Sequence, residues 1–421
     1  MLPQASILDR TLISLPRQRI CVVTETYPPE VNGVAITVQR CVQALRARGH
    51  EVRVVRPRQA EASDSSREEG DLLTGSLPIP GYPTLRMGVP CQRQLRELWR
   101  NWRPDVLHVI TEGPLGWSAL QAARALTIPV VADFHTNFHS YGRHYGWGRL
   151  STLIYRYLRY FHNRAQVTLV PTRTLRDQLS IDGFKRIEVV ARGVDTQLFH
   201  PGQRSATLRT AWGLSAGDLA VLYVGRLAPE KNLPLVHRAF AAIREVRPDA
   251  RLVLVGDGPA GPLRDALGSD AVVYAGIQRD RALAQHFASA DLFLFPSLTE
   301  TFGNVTLEAM ASGLPVVAYD YAAAGEHVQH GRSGWLAPFD DSVQFVEGAR
   351  AIASSPALRE TMGQAAALQC HSLGWEQVMD ALERALVRVV HSEVHDSALP
   401  SRLVGRAGSP VVPPAHKHPS L

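Results

Sequence analysis

Short apolar runs alternate with longer amphipathic segments along most of this chain, in two successive sets. The first set contains runs such as 19–25 and 105–110, which predict buried strands, and segments such as 35–48, which predict helices. The second set begins with the run 219–225 and repeats the same order. Strands that alternate with helices form a parallel sheet covered by helices on both faces. The sequence therefore predicts an α/β fold with two doubly wound, Rossmann-like domains that face each other across a cleft.

The boundary between the two domains is predicted near residue 200. A chain of 421 residues is too long for a single core, and Pro201 and Gly202 interrupt the pattern between the two sets. Residues 58–90 show no period and predict an irregular segment. The predicted parts are an N-terminal extension (1–18), a first domain (19–200), a second domain (201–375), a C-terminal helix (376–394) and a disordered tail (395–421).

Composition excludes several classes of protein. Apolar residues make up 45% of the chain and charged residues 20%, as in soluble globular proteins. The four cysteines are scattered, so neither a disulfide framework nor a zinc site is predicted. Residues 1–19 lack the apolar core of a signal peptide, and no segment is long and apolar enough to span a bilayer. We therefore expect a cytoplasmic protein.

The net charge of +6 is unevenly distributed along the chain. Residues 134–176 contain seven arginines and no Asp or Glu, and aromatic residues lie between the arginines. Such a stretch is compatible with nucleic acid, with an anionic membrane surface, or with an ordinary solvated helix whose aromatic residues face the core.

Two carboxylates bracket a segment between two predicted strands of the second set. The segment Glu300-Thr-Phe-Gly-Asn-Val-Thr-Leu-Glu308 follows the buried run 291–295 and precedes the strand 314–319. Its first acid lies in a strand-to-helix loop, where open α/β sheets bind ligands, and its second acid lies in the helix. Acids that accept from hydroxyls, beside a helix N-terminus that attracts phosphate, suit a sugar nucleotide. For two such acids taken alone, a solvated residue and a helix-dipole partner are the commoner explanation.

A pair of basic residues follows the first strand of the second set. In Val224-Gly-Arg-Leu-Ala-Pro-Glu-Lys231, Arg226 leaves the strand end and Lys231 lies at the start of the next helix. Both can therefore reach one point above the sheet, where two fixed cations would neutralise a diphosphate. Two exposed basic residues near a turn are the alternative. Several phosphate-suited loops at one edge favour the diphosphate site.

Two loops of the first set carry further candidates. Asn32 and Gly33 follow the first strand and two stiffening prolines, and Gly33 lets the backbone approach a ligand closely. His135 follows the strand 129–134, and its position rather than its identity suggests contact with a bound sugar. The P-loop fingerprint does not occur in the sequence.

Taken together, these residues resemble the family-four retaining glycosyltransferases, which have the GT-B fold. The resemblance covers roughly residues 19–390. The stretch His135-Thr-Asn-Phe-His-Ser-Tyr-Gly-Arg-His-Tyr-Gly is similar to the members that use GDP-mannose and to the lipid-acting sulfoquinovosyl and glucosyl transferases. The other features that carry the resemblance are Glu300-x7-Glu308 with Phe302-Gly303, Gly225-Arg226 with Lys231-Asn232, Pro28-Pro29 with Asn32-Gly33, and Arg192-Gly-Val-Asp195.

The resemblance implies that the first domain binds the acceptor and the second binds the nucleotide sugar, with the C-terminal helix crossing back to the first domain. It also implies a role for each candidate residue. Glu300 binds hydroxyls of the transferred sugar, Glu308 binds those of the ribose, and His135 contacts the sugar near its reacting face. The backbone near Ile277 meets the base. The donor diphosphate is held by Arg226, Lys231, Asn32, Gly33 and the backbone amides that follow Phe302, at Gly303 and Asn304.

The implied reaction transfers a hexose from a nucleotide sugar to a lipid or lipid-linked acceptor with retention of configuration. Mannose from GDP-mannose is the preferred donor group. No cofactor or metal ion is expected, because Arg226, Lys231 and the helix N-terminus at Gly303 supply positive charge to the leaving diphosphate. The implied route is same-face attack, in which the donor phosphate accepts the proton of the acceptor. Glu300 as a covalent nucleophile is the rival route.

Four alternatives remain open. The first is a UDP-sugar-dependent transferase that moves a glucosyl or sulfoquinovosyl group to diacylglycerol or a polysaccharide. It remains open because Gln278-Arg279 stands where guanine-binding members can place an acid. A sugar-nucleotide epimerase and an inactive sugar-binding scaffold are more remote. The fourth concerns the basic stretch 134–176, which predicts either reversible peripheral binding to the inner face of the membrane or a helix packed on the core. Nucleic acid is not an expected partner.

Overall fold

The computed structural model describes residues 15–28, 30, 33–59, 70–79, 82–135, 148–258 and 271–398. Within these residues two parallel sheets, of seven and six strands, are each covered by helices. The prediction of an α/β fold with two doubly wound domains is confirmed.

The first domain is built on the seven-stranded sheet. Its strands are β1 (Arg19–Val23), β2 (Glu51–Pro57), β3 (Leu72–Thr74), β4 (Ser76–Ile79), β5 (Tyr82–Gly88), β6 (Val106–Val109), β7 (Val130–Asp133), β8 (Val167–Val170) and β9 (Ile187–Val189). The sheet order is β3-β2-β1-β6-β7-β8-β9 with all pairs parallel, and β4 and β5 form a separate antiparallel hairpin. The helices are α1 (Gly33–Ala47), α2 (Gln92–Asn101), α3 (Pro114–Ala125), α4 (Gly148–His162) and α5 (Arg173–Ile181).

The central strand β1 shows how the sequence specifies two helical layers. Successive side chains of a strand point to opposite faces of the sheet. Ile20 and Val22 pack with α1 on one face, while Cys21 and Val23 pack with α2 and α3 on the other. All four are buried, which accounts for the continuous apolar run that the sequence shows here.

The prediction of an irregular segment at 58–90 is wrong for its second half, which contains β3, β4 and β5. These strands are short, and Pro78 within β4 hides the alternation that identifies a strand. The sequence pattern also fails to predict α5 and β9. Only Leu179 of α5 is buried, and β9 is a three-residue edge strand whose residues are all half-buried, so neither has a clear period.

The second domain is built on the six-stranded parallel sheet. Its strands are β10 (Ala220–Val224), β11 (Arg251–Val255), β12 (Val272–Gly276), β13 (Leu292–Phe295), β14 (Val316–Tyr319) and β15 (Gly334–Ala337), in the order β12-β11-β10-β13-β14-β15. Its helices are α6 (Ala206–Ala211), α7 (Leu233–Val246), α8 (Asp280–Ser289), α9 (Asn304–Ala311), α10 (Ala322–His327), α11 (Ser342–Ser354) and α12 (Pro356–Cys370), with short 3₁₀ turns at Pro201–Gln203 and Pro229–Lys231. A single core of buried residues fills this domain.

The last helix, α13 (Trp375–Ala398), leaves the second domain and packs on the first. Its residues Met379, Leu382 and Leu386 are buried in the same cluster as Ile20 and Val131 of the first sheet. The helix extends four residues into the segment 395–421, for which we predict a disordered tail. Residues 1–14 and 399–421 lie outside the described residues.

Candidate functional site

The candidate residues lie where the carboxyl ends of the two parallel sheets face each other. Hydrogen bonds join the two edges. The hydroxyl of Thr301 donates to the backbone carbonyl of His135 at 2.8 Å, and the backbone N–H of Arg173 donates to Glu326 at 2.6 Å. The cleft that the sequence predicts is therefore a region of direct contact between the domains, formed by the loops that follow β7 and β13.

Two helix N-termini approach each other across this cleft. Gly33 is the first residue of α1, and Gly303 precedes α9. Gly303 has a φ of +88°, a left-handed conformation that disfavours other residues, and it lets the chain turn from the loop into the helix. A methyl group on Gly33 would lie 3.7 Å from the side-chain nitrogen of Asn304. The N-termini of two helices therefore lie close together, and the positive ends of their dipoles suit an anion.

Lys231 and Glu300 form an ion pair at the second-domain edge. Both side chains are mostly shielded from solvent, and the ammonium lies 5.7 Å from the centroid of the Phe295 ring. Lys231 closes the 3₁₀ turn after β10, and Glu300 lies in the loop after β13, so adjacent strands bring the two together. An anionic ligand on Lys231 would compete with Glu300 for the ammonium and leave the carboxylate to accept from sugar hydroxyls.

Arg226 forms a second ion pair in the same loop, with Glu230 at 2.7 Å. The Glu230 side chain is buried, and its backbone carbonyl accepts from Leu298 at 2.9 Å, which fixes the loop after β10 to the loop after β13. The Arg226 side chain is 60% exposed, so its guanidinium reaches the solvent side of the cleft. A guanidinium in this position can hold phosphate oxygens bidentately.

Glu308 lies in α9 and points towards the first domain. The residue keeps partial exposure, but its carboxyl is surrounded by protein, and this desolvation raises its pKa to about 7. The positive charge of Arg40 in α1 lowers the pKa and offsets part of that effect. Arg40 also pairs with Asp195 at 3.4 Å. An acid that is half-ionised near neutral pH is suited to accept hydrogen bonds from a diol.

His135 is held in a network with Asp133, His108 and Arg192. Its Nε2 lies 3.1 Å from Asp133 Oδ2, and its Nδ1 lies 2.6 Å from Arg192 Nη2. A guanidinium can only donate, so Nδ1 accepts and Nε2 carries the proton that is donated to Asp133. Burial and then the charge of Arg192 lower the pKa of His135, so the ring stays neutral. Both ring nitrogens bond to protein, and a hydrogen bond to substrate requires one of them to exchange its partner.

Three members of this network, Asp133, Arg192 and His108, are not among the site residues predicted from the sequence. Asp133 stands between two histidines, with His108 Nε2 at 2.7 Å from its other oxygen. Burial raises the pKa of its carboxyl, but the interaction with His108 and the hydrogen bonds from both rings outweigh burial and hold that pKa well below the usual range. Asp133 ends β7 beside His135, and the acid at the strand end is the signal that could have identified it. Arg192 belongs to a motif that carries the resemblance. His108 lies inside an apolar run and gives no signal.

The remaining candidates have simpler surroundings. Asn32 lies outside the described residues. Phe302 is buried, its ring lies 5.9 Å from that of His327, and its backbone carbonyl accepts from the N–H of Ala323 at 2.8 Å. Ile277 follows β12 and is 57% exposed, as expected of a residue that flanks a bound base. Among the described residues, no group of three or more His, Cys, Asp or Glu side chains is placed to hold a metal ion.

The helix α4 carries part of the described basic, aromatic stretch, which continues past it to Arg176. Its inner face packs on the core, where Tyr157 donates to the carbonyl of Glu112 at 2.5 Å and Phe161 is buried. Its outer face presents Leu153, Tyr160 and Arg156, of which Leu153 is 62% and Tyr160 46% exposed. Packing on the core is therefore confirmed for the inner face, and membrane binding stays a prediction for the outer face. No helix in the described part of the chain is long and apolar enough to cross a membrane.

Known proteins resemble this chain in sequence and in fold. The family model of Glycosyltransferase Family 4 matches residues 31–198, and that of Glycosyl transferases group 1 matches residues 218–355. A GDP-mannose-dependent alpha-mannosyltransferase of Mycobacterium tuberculosis is 34% identical over 84% of this chain and 95% of the relative. A sulfoquinovosyl transferase of Arabidopsis thaliana is 30% identical over 94% of this chain and 76% of the relative. The solved sucrose-phosphate synthase of Thermosynechococcus elongatus has the same fold, with a TM-score of 0.73 at 20% identity over 91% of this chain and 100% of that one.

Proposed function

The chain belongs to glycosyltransferase family 4, and we propose that it transfers mannose from GDP-mannose to a lipid or lipid-linked acceptor with retention of configuration. The observation that carries the proposal is the 34% identity to a GDP-mannose-dependent alpha-mannosyltransferase over 95% of that relative's length. The positions of Arg226, Lys231, Glu300 and Glu308 around one cleft support it, because a nucleotide sugar needs cations for its diphosphate and acceptors for its hydroxyls.

In the proposed reaction, the bond between the sugar and the diphosphate breaks as the acceptor oxygen attacks from the same face. Negative charge develops on the leaving diphosphate, where Arg226, Lys231 and the α9 N-terminus provide compensating charge. The leaving phosphate oxygen accepts the proton of the acceptor hydroxyl, so the step needs no metal ion and no protein nucleophile. Glu300, released from Lys231, orients the sugar through its hydroxyls.

The experiment that tests the donor is a binding and turnover screen with GDP-mannose, UDP-glucose and ADP-glucose. A ligand that binds the folded protein raises the melting temperature by mass action. We expect the largest shift and the release of nucleoside diphosphate with GDP-mannose. A Glu300→Gln variant should lose turnover while retaining affinity for GDP. Absence of a shift with all three donors would contradict the proposal.

A UDP-sugar is the second candidate donor. The observation that favours it is the likeness to a sulfoquinovosyl transferase, together with Gln278-Arg279 beside the proposed base contact, where guanine-binding members can place an acid. In the same screen, a larger increase in melting temperature with UDP-glucose than with GDP-mannose would indicate a UDP-sugar as the donor. The proposed diphosphate site would be the same for both donors.

We propose the outer face of α4 as the surface through which the enzyme meets a lipid acceptor at an anionic membrane. Exposed aromatic side chains favour the membrane interface, and each arginine near an anionic surface contributes about 1 kcal/mol. In vesicle co-sedimentation, binding should increase with the fraction of anionic lipid and decrease with salt. The double variant Arg156→Glu/Arg159→Glu should lose it, whereas Arg93→Glu/Arg100→Glu on α2, with the same change of charge, should not. Equal loss in both variants would leave only a general charge effect.

A further inference from the structure

A basic pocket lies at the end of the first sheet that is opposite to the cleft. It has a volume of about 500 Å³ and lies between the amino ends of β8 and β9 and the later part of α13. Its charged lining consists of Arg164, Arg186, Arg388 and Glu188. The strand β8 separates this pocket from the cleft by about 13 Å. It is therefore a different site from that of the donor.

The charges of the pocket are unbalanced. Three arginines and one glutamate, Glu188, belong to its lining, and Glu188 forms an ion pair with Arg388. Because Glu188 can compensate only part of the positive charge, the site favours an additional anion.

Two of the arginines are held in place by the protein. Arg186 donates from Nε and Nη2 to the carbonyl of Ala165 at 3.2 and 3.0 Å, and from Nη2 to that of Asn163 at 2.6 Å. Its φ is +52°, a left-handed conformation that is uncommon for arginine. The guanidinium of Arg164 lies 3.6 Å from the centroid of the Tyr160 ring, and its buried Nε has no hydrogen-bond partner among the described residues. Groups fixed in advance bind a ligand with little loss of side-chain freedom.

We infer that this pocket binds the phosphate group of a small, soluble phosphomonoester. Planar guanidinium groups match the oxygens of phosphate bidentately, and a pocket of this volume exceeds a bare phosphate and accommodates an organic part as well. The bound anion draws Arg388 of α13 towards Arg164 and Arg186, which lie in the loops before β8 and β9. It therefore fastens the end of the helix that begins between the two domains.

The test uses the full chain with the double substitution Arg226→Ala/Lys231→Ala. These substitutions remove phosphate binding at the proposed donor site, whether that site prefers a guanine or a uracil nucleotide. Calorimetry at constant ionic strength measures binding of glycerol 3-phosphate, with inorganic phosphate as the minimal probe. We expect one molecule per chain and at least tenfold weaker binding with Arg388→Gln. That side chain is 58% exposed, so its replacement leaves folding intact. The matched control is Arg384→Gln, one helical turn earlier on an exposed position outside the pocket lining, which should bind as before.

Two further arms separate the source of the phosphate and the role of the carboxylate. Glu188→Gln should bind glycerol 3-phosphate several-fold more tightly, because Arg388 loses its competing partner. Vesicles of phosphatidylcholine with phosphatidic acid, at the same phosphate concentration, should bind equally well whether Arg388 is replaced or retained, because attraction to anionic lipid is assigned to the outer face of α4 and not to this pocket. Binding to phosphatidic acid vesicles that depends on Arg388, without binding of glycerol 3-phosphate, overturns the inference. Equal binding by Arg388→Gln and Arg384→Gln overturns it as well, and neither result affects the proposed donor site.

Discussion

The two sides of the cleft hold their functional groups in different ways. On the first-domain side, His135 is neutral and bonded at both ring nitrogens, to Asp133 and to Arg192. On the second-domain side, Lys231 and Glu300 neutralise each other, and Arg226 projects into solvent from its pair with Glu230. The first side is thus held by hydrogen bonds to a neutral ring, whereas the second side is held by ion pairs. In the proposed reaction, the diphosphate breaks the ion pairs of the second domain, while contact with the reacting face of the sugar falls to His135 of the first domain.

The largest effect on activity is expected from removing the ammonium group of Lys231, which leaves Glu300 for the diphosphate in the proposed reaction. Lys231→Ala should lower kcat/KM for the donor by about 10²–10³, as for loss of a group that stabilises the leaving charge. Lys185→Ala, a change of the same charge on a surface loop of the first domain, should leave the rate unchanged. Steady-state kinetics on both variants measure the difference. A wild-type rate in Lys231→Ala would remove the diphosphate assignment.

The next largest effect on activity is expected from weakening the hydrogen-bond network around Asp133 in the first domain. Asp133→Asn removes the charge that holds His108 and His135, and we expect kcat to fall about 10-fold to 10²-fold through misplacement of the His135 loop. Affinity for the nucleoside diphosphate, measured by calorimetry, should not change, because the second domain is untouched. The matched control is Asp105→Asn at the other end of the sheet, where the carboxylate pairs with Arg19 at 3.2 Å. If Asp133→Asn weakened nucleotide binding as much as Lys231→Ala, the division of roles between the domains would be wrong.

A smaller effect is expected at the turn that starts α9. Gly303→Ala places a side chain in a left-handed conformation, which costs about 1–2 kcal/mol. The added carbon also contacts the side chains of Phe295 and Glu300 at 3.4 and 3.5 Å, so donor affinity should fall together with stability. Gly331→Ala has a similar φ of +76° with nothing within 4 Å, and it should lose stability alone. Chemical denaturation and nucleotide titration of the two variants separate strain from the effect on the site.

The smallest effect concerns pH. Because burial raises the pKa of Glu308 to about 7, the folded protein without ligand takes up a proton there as the pH falls below neutrality. The carboxylate is the form that accepts from ribose hydroxyls, so affinity for the nucleoside diphosphate should increase about tenfold from pH 6 to pH 8. Stability without ligand has the opposite trend, since burying the charged form is unfavourable and stability decreases as the pH rises through about 7. Calorimetry on Glu308→Gln should show a weaker pH dependence, and an identical one would exclude the ribose role.

The sequence predicts the fold and the positions of the charged loops because both depend on local pattern. Continuous apolar runs define the strands, and the loops after β10 and β13 must meet because β10 and β13 are neighbours in the sheet. What it cannot predict are the partners of each charge. The pairing of Lys231 with Glu300 depends on side-chain geometry, and the buried Asp133 network depends on His108, which lies in an adjacent strand 25 residues away.

The path of α13 determines how the gene can be divided. The first sheet is covered on one face by residues encoded after the entire second domain, including Leu382 and Leu386. The chain also passes between the domains twice at one place, since Val194 pairs with Gly374 in a parallel bridge. A recombinant fragment that stops at residue 200 would expose a bare apolar surface and aggregate. A chimera intended to exchange acceptor preference with a relative must therefore carry two cassettes, the leading segment and the terminal helix, from the same parent.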